Sequence, residues 1–286
     1  MKSSNPILSR RGFTRDASRP AGAPREPQLV GAAVGAPPAG DPYTGFGAPR
    51  GVQDAAAERT AMTLDDVVVR TATTLGTVAV AAVLSWVLLP VDDANIGRSY
   101  GIGVGAALIA FALSLAQSFR RTPSPALILG YAAFEGVFLG VISNATSTYI
   151  SPGVVVQAIL GTFAVSAGVL VAYRRRWIRV DRRFYGFVMA AATGFVLLML
   201  ADLLFSAFGA GNGLGFGSGG LGVVFGLAGV LLGACFLALD FRQIEDAITE
   251  GAPREEAWLA AFGLTLTLVW IYLEALRVLQ LLQGDE

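Results

Sequence analysis

Five ionisable side chains stand out within long apolar blocks of this sequence: Glu135, Asp202, Asp240, Glu274 and Arg277. Arg120 and Arg121 close another such block. A charged group at membrane depth is expensive, so each of these is a candidate functional residue. Carboxylates in such a place can do two things. They can take up and release protons, and two that lie close together titrate as a unit, because like charges cannot both ionise cheaply. They can also coordinate calcium, a hard ion bound by oxygen. What is missing narrows the chemistry further. There is no histidine, which excludes Ser-His catalysis, histidine-ligated metals and a histidine pH switch. The single cysteine, Cys235, can form neither an intrachain disulfide nor a thiolate cluster. The single lysine, Lys2, lies far from any apolar block, so an intramembrane Schiff base is impossible.

Helical spacing sorts these residues onto faces. In the last apolar block Gly263, Thr267, Trp270, Glu274 and Arg277 recur at steps of four and three, so they share one face. In the block before it Gly222, Gly226, Gly229 and Gly233 do the same, and the stripe runs on to Asp240 and Ile244. Small residues let helix backbones approach closely. Gly103, Ala110, Ser114, Gln117 and Arg121 form a third stripe, and Tyr131 shares a face with Glu135, with Gly136 and Gly140 beside it. Structural readings compete at each position. Glu274 and Arg277, three apart, can neutralise each other. Asp240 can be interfacial, Asp202 lies near the end of its block, and Arg120 and Arg121 can serve as topology signals alone.

The elements that must position these groups are membrane helices. Apolar residues make up 54% of the chain and charged residues only 15%. The apolar residues fall in seven blocks, at 67–89, 100–119, 126–149, 153–173, 184–208, 221–241 and 258–282. Each is long enough to cross a hydrocarbon core of about 30 Å, and in lipid only a helix satisfies its own backbone at this length. The fold class is therefore all-α, an integral membrane bundle of seven helices over residues 61–286. Residues 1–60, rich in Pro, Gly, Ala and Arg, are expected to form a disordered cytoplasmic tail. Orientation follows the arginines. The tail, the second gap (Arg120, Arg121), the fourth gap (Arg174, Arg175, Arg176, Arg179, Arg182, Arg183) and the sixth (Arg242, Arg254) carry them. The first gap has only Arg98 beside Asp92 and Asp93, and the third and fifth have none. Aromatic residues fall where interfacial belts belong: Trp86, Tyr100 and Tyr149 on one side, Tyr173, Trp177 and Trp258 on the other.

Three segments carry a family resemblance. Phe236-Leu-Ala-Leu-Asp240-Phe-Arg-Gln-Ile244 resembles the "LYDxxxI" motif of the Bax inhibitor-1/YccA family (the transmembrane Bax inhibitor motif family), in its bacterial branch. Val269-Trp-Ile-Tyr-Leu-Glu274-Ala-Leu-Arg-Val-Leu279 resembles its "LYLDxxxLF", with Glu for Asp, and Phe134-Glu-Gly-Val-Phe-Leu-Gly140 resembles its "xEGxxLG". Met62-Thr-Leu-Asp-Asp-Val67 and Trp258-Leu-Ala-Ala-Phe-Gly263 look like an actinobacterial subgroup. The resemblance covers roughly residues 62–282. It implies a pH-sensitive calcium leak, with a sensor made of the carboxylates of the last two helices and an arginine of the second. Carried over, these are Asp240, Glu274 and Arg120 or Arg121. An acidic residue that some members carry on the second span has no counterpart here, and Glu135 is the candidate to take its place. Spacing leaves the pairing open. If the last hairpin turns near Gly251, the two carboxylates are offset by more than about 10 Å at 1.5 Å per residue. A break near Gly263 would close that gap; otherwise Glu274 pairs with Arg277.

The reading is a passive, gated calcium conductor of the bacterial plasma membrane. Asp240, Glu274, Arg277, Arg120 and Arg121 form its pH sensor, and Glu135 and Asp202 are candidates for the ion path. The rival is a non-conducting regulator that binds a membrane protease or another membrane complex. An enzyme is not expected, because the paired aspartate motifs of an intramembrane aspartyl protease are absent. Expected partners are the lipid bilayer and calcium ions, and a membrane protease under the rival reading; nucleic acid is not among them. No cofactor is expected, calcium being the transported ion. The arginine alternation predicts the N-terminus in the cytoplasm and the C-terminus outside. Reporter fusions ahead of the first block and after the seventh should therefore report opposite sides. The same side for both would overturn the seven-span topology.

Overall fold

The computed structural model describes residues 61–208 and 214–284. The expected tail, residues 1–60, lies outside them. Among the described residues there are seven long helices: α1 (Leu64–Leu88), α2 (Ile96–Ser118), α3 (Pro125–Tyr149), α4 (Val154–Arg174), α5 (Arg182–Ala207), α6 (Gly219–Thr249) and α7 (Ala257–Gln283). All seven are long and apolar enough to cross a membrane. A single turn of 3-10 helix, Arg254–Glu256, precedes α7. Extended pairing among the described residues is confined to an isolated antiparallel bridge between Ala61 and Pro253.

Local chemistry sets the helix ends. Thr63 caps α1 through the Asp66 amide, and the Asp66 carboxylate accepts from the Thr63 amide in return, a reciprocal capping box. Pro125 opens α3 at a position that needs no amide donor. Asp181 caps α5, its Oδ1 accepting from the Phe184 amide at 2.8 Å. At the end of α6 the Ala252 amide donates to the Ala247 carbonyl and the Gly251 amide to that of Ile248. This closing motif places Gly251 at φ 71°, and Pro253 then prevents the helix from continuing. As a result α6 runs eight residues beyond the apolar block expected at 221–241, because its last two turns are amphipathic rather than apolar.

The bundle is organised around α7. It packs against α6 along its length, and α1 and α4 lie against it on other sides. The α1 and α2 helices both pack on α3, whereas α5 rests chiefly on α6 through Val188 and Phe195. Polar links are few and buried. Thr74 of α1 meets Thr265 of α7 at 2.8 Å, and Ser143 of α3 meets the Tyr272 hydroxyl at 2.6 Å. Such pairs satisfy hydroxyls that lipid cannot.

The α1–α3 seam depends on two glycines one turn apart. A Cβ placed on Gly136 would run into the Val78 carbonyl oxygen, and one on Gly140 into that of Ala82. Both obstacles are backbone and cannot swing aside. Gly136→Ala and Gly140→Ala should each lower stability by about 1–3 kcal/mol, read as the thermal unfolding midpoint in detergent. Gly105→Ala in α2, where nothing lies within 4 Å, should be neutral or raise stability by up to about 1 kcal/mol.

Candidate functional site: the seam between the last two helices

The α6 and α7 helices run antiparallel with their glycine and polar faces together. Bare Cα positions on α6 receive side chains from α7. A Cβ on Gly222 would meet Leu281, on Gly226 Val278, on Gly229 Glu274, and on Gly233 Ile271 and Trp270. The indole of Trp270 donates to the Gly229 carbonyl at 3.1 Å. This is the arrangement expected of the two stripes, and it brings Thr267, Trp270, Glu274 and Arg277 against α6.

Glu274 occupies the notch that Gly229 leaves. An added Cβ there would sit 2.7 Å from the Glu274 carboxyl carbon. The residue is only 6% exposed, and its Oε2 has no hydrogen-bond partner. The nearest cation is Arg277, whose guanidinium lies 3.7 Å from that oxygen, an ion pair too long for a hydrogen bond. Arg277 itself is held elsewhere. It donates to the Phe216 carbonyl, and its guanidinium lies 5.5 Å from the centre of the Phe225 ring.

Asp240 lies at a different level of the same seam. Its Oδ2 accepts from the Thr267 hydroxyl at 2.6 Å, and α7 continues unbroken past Gly263 beside it. A cleft of about 150 Å³ opens here, lined by Asp240, Gln243, Glu256 and Gly263 and by Met62 from the segment before α1. That segment is strapped across the α6–α7 turn. The Met62 amide donates to the Ala252 carbonyl at 2.8 Å, and Arg254 pairs with Asp66 at 2.7 Å. Arg70 donates to the Arg254 carbonyl and covers the Trp258 ring at 5.4 Å.

Asp240 and Glu274 therefore do not meet. Glu274 faces Gly229, which lies eleven residues before Asp240 on α6, about 16 Å along the axis. Of the two pairings left open by the sequence, the structure contains the one between Glu274 and Arg277. It does not bring the remaining candidates to the seam. Because α2 ends at Ser118, Arg120 and Arg121 fall in the exposed connection ahead of Pro123, and neither forms an ion pair among the described residues. This corrects the placement of Arg121 on an inward stripe, although Gly103, Ala110 and Gln117 of that stripe are buried. Asp202 accepts from the Leu214 amide at 2.7 Å, so it secures the connection into α6. Glu135 is half-buried on α3 and has no hydrogen-bond partner among the described residues.

Some contributors were missed in the sequence. Thr63-Leu-Asp-Asp66 has the pattern of a capping box and could have been recognised. Nothing local could have linked Asp66 to Arg254 or Met62 to the Asp240 cleft, since those partners lie more than 170 residues apart.

Seven apolar helices with carboxylates on an inward seam define a multi-pass helical membrane protein. The chain belongs to the Bax inhibitor 1 like family, whose family model matches residues 5–284. No curated protein matches it significantly. The match includes most of the segment ahead of α1, beyond the stretch from 62 that the motifs covered.

The Glu274–Arg277 pair gives a direct test. Removing one partner of a buried ion pair leaves a charge uncompensated. Arg277→Gln should cost about 3 kcal/mol, and Glu274→Gln together with Arg277→Gln should cost less than the sum of the two single changes. Thermal unfolding of the four proteins in one detergent reads the coupling; strict additivity would show that the two groups do not interact.

Proposed function

We propose that this protein is a passive, gated cation conductor with a preference for calcium, and that Asp240 and Glu274 control its conduction. It catalyses no reaction in this reading. It sits in a bacterial plasma membrane with the α1 side of the chain entering from the cytoplasm and α7 ending outside. Family membership and the two carboxylates on the seam, oxygen donors of the kind calcium takes, support calcium as the ion.

The observation that carries the proposal is Glu274, a carboxylate almost wholly withdrawn from solvent, with one oxygen that no donor reaches. Such a group is poorly explained as packing, because an apolar side chain would fill the Gly229 notch without an unmet polar atom. As a gate it is intelligible. The ionised carboxylate attracts Arg277, and Arg277 ties α7 to the connection before α6 through the Phe216 carbonyl. A change in the charge of Glu274 alters that tie. Asp240 acts separately, its charge setting the strength of the Thr267 bond and the polarity of the cleft it shares with Glu256. The two carboxylates are in this view two titrating points on one seam rather than a dyad.

Calcium flux into proteoliposomes, followed from about pH 5 to 8, tests the assignment. Asp240→Asn and Glu274→Gln should each change the pH profile while the helices stay inserted. Arg277→Ala should act in the same way as Glu274→Gln, and Arg120→Ala and Arg121→Ala should leave the profile unchanged. If both carboxylate variants keep the wild-type profile, the carboxylates are structural, and the protein is better read as a non-conducting regulator of a membrane protease or another membrane complex.

A further inference from the structure

The connection between α4 and α5, together with the helix ends that flank it, carries six arginines, Arg174, Arg175, Arg176, Arg179, Arg182 and Arg183, against one acid, Asp181. All six are exposed, and none is in an ion pair among the described residues. Two acids beside the cluster are engaged elsewhere. Asp181 caps α5 through the Phe184 amide. Glu245, which accepts from the Tyr173 hydroxyl next to the cluster, pairs with Arg242.

A topology signal needs only the charges, yet this connection is built. The Trp177 amide donates to the Ala172 carbonyl and the Arg176 amide to that of Tyr173, both at 2.9 Å. This is the same closing motif that ends α6, where the left-handed position belongs to Gly251. Here that position belongs to Arg176, at φ 57°, a conformation glycine would adopt without strain. Ile178 and Val180 pack into the apolar core, so the arginines on either side of them are displayed from a fixed backbone. Trp177 projects outward, 75% exposed.

We infer that this connection is a docking surface for anionic phospholipid headgroups at the membrane face where α4 and α5 end. Clustered basic residues next to a membrane helix are attracted to anionic lipid. Guanidinium groups bind phosphate through two parallel hydrogen bonds. The choice of a lipid surface over a soluble phosphate rests on Trp177. An exposed indole beside the arginines, at the level where two apolar spans finish, is at home in the headgroup layer and has no use in binding a free anion. The strained Arg176 keeps a guanidinium where glycine would serve the backbone better.

The test uses the full chain in phosphatidylcholine nanodiscs. These contain an equal small fraction of bromine-labelled phosphatidylglycerol or bromine-labelled phosphatidylcholine. Quenching of Trp177 is isolated by subtracting the signal of Trp177→Phe, which retains Trp86, Trp258 and Trp270. Labelled phosphatidylglycerol should quench Trp177 more strongly, and the preference should fall about five-fold for each of Arg174, Arg175 and Arg179 changed to Gln. The corresponding triple Lys variant should keep most of the preference, which separates lost charge from a disrupted loop. Equal quenching by the two lipids would overturn the proposal, as would an undiminished preference in the triple Gln variant or its loss in the triple Lys variant. Soluble glycerophosphate at the same bulk concentration should not abolish the preference; if it does, the site takes a free anion and the membrane-surface assignment is wrong.

Discussion

Four glycines on one face of α6 set the distance at which the last two helices pack, and most of what is distinctive here follows from that distance. Each bare Cα lets α7 come close enough for Trp270 to reach a backbone carbonyl and for Glu274 to settle into the space beside Gly229. In a hydrocarbon medium there is little hydrophobic drive to press helices together, so close packing and interhelical hydrogen bonds must do it. The same face that permits close approach thereby admits a carboxylate to the interior. Arg277 follows as its countercharge, and the Phe216 carbonyl follows as the anchor of that arginine.

With α7 held in this way, the other helices find polar partners on its remaining sides. Thr265 meets Thr74 of α1, Tyr272 meets Ser143 of α3, and Gln280 donates to Thr146 of the same helix. The α1 helix is held twice more. Gly136 and Gly140 of α3 accept it at backbone distance, and Arg254 grips Asp66 at its first turn. The α5 helix has no comparable partner and buries only Val188 and Phe195. The bundle is thus graded, with a tightly joined set around α7 and an outer helix whose apolar side chains are left for lipid.

The two carboxylate-bearing ends of the seam differ in how the chain maintains each. Around Glu274 the packing is closed, with one ion pair and one oxygen that no protein donor reaches. Around Asp240 there is a cleft, a hydroxyl donor and a strap from the segment before α1 that places Met62 at its edge. Under the proposed function a proton or ion would meet these groups under different conditions of access, so two separate points on one seam describe them better than a shared-proton pair.

Much of this was legible in the residues alone. Seven spans are dictated by block length, since a lipid-embedded backbone must satisfy itself. The facing stripes of α6 and α7 are dictated by helical periodicity, which places Gly229 and Glu274 on inward faces whatever else the chain does. Counting residues on either side of the Gly251 turn offsets Asp240 from Glu274 but leaves their pairing open, and only the unbroken course of α7 past Gly263 decides that they stay apart. Other features needed the folded chain. Whether Arg121 belonged to its stripe depended on where α2 stopped, a boundary that periodicity does not specify, and the helix ends before it. Asp202 looked like an intramembrane acid until the chain brought back the Leu214 amide to it. The strap of residues 61–70 over the last hairpin joins groups remote in sequence, and no local pattern encodes a contact between them. Periodicity says which way a side chain points; only tertiary structure decides what it finds there.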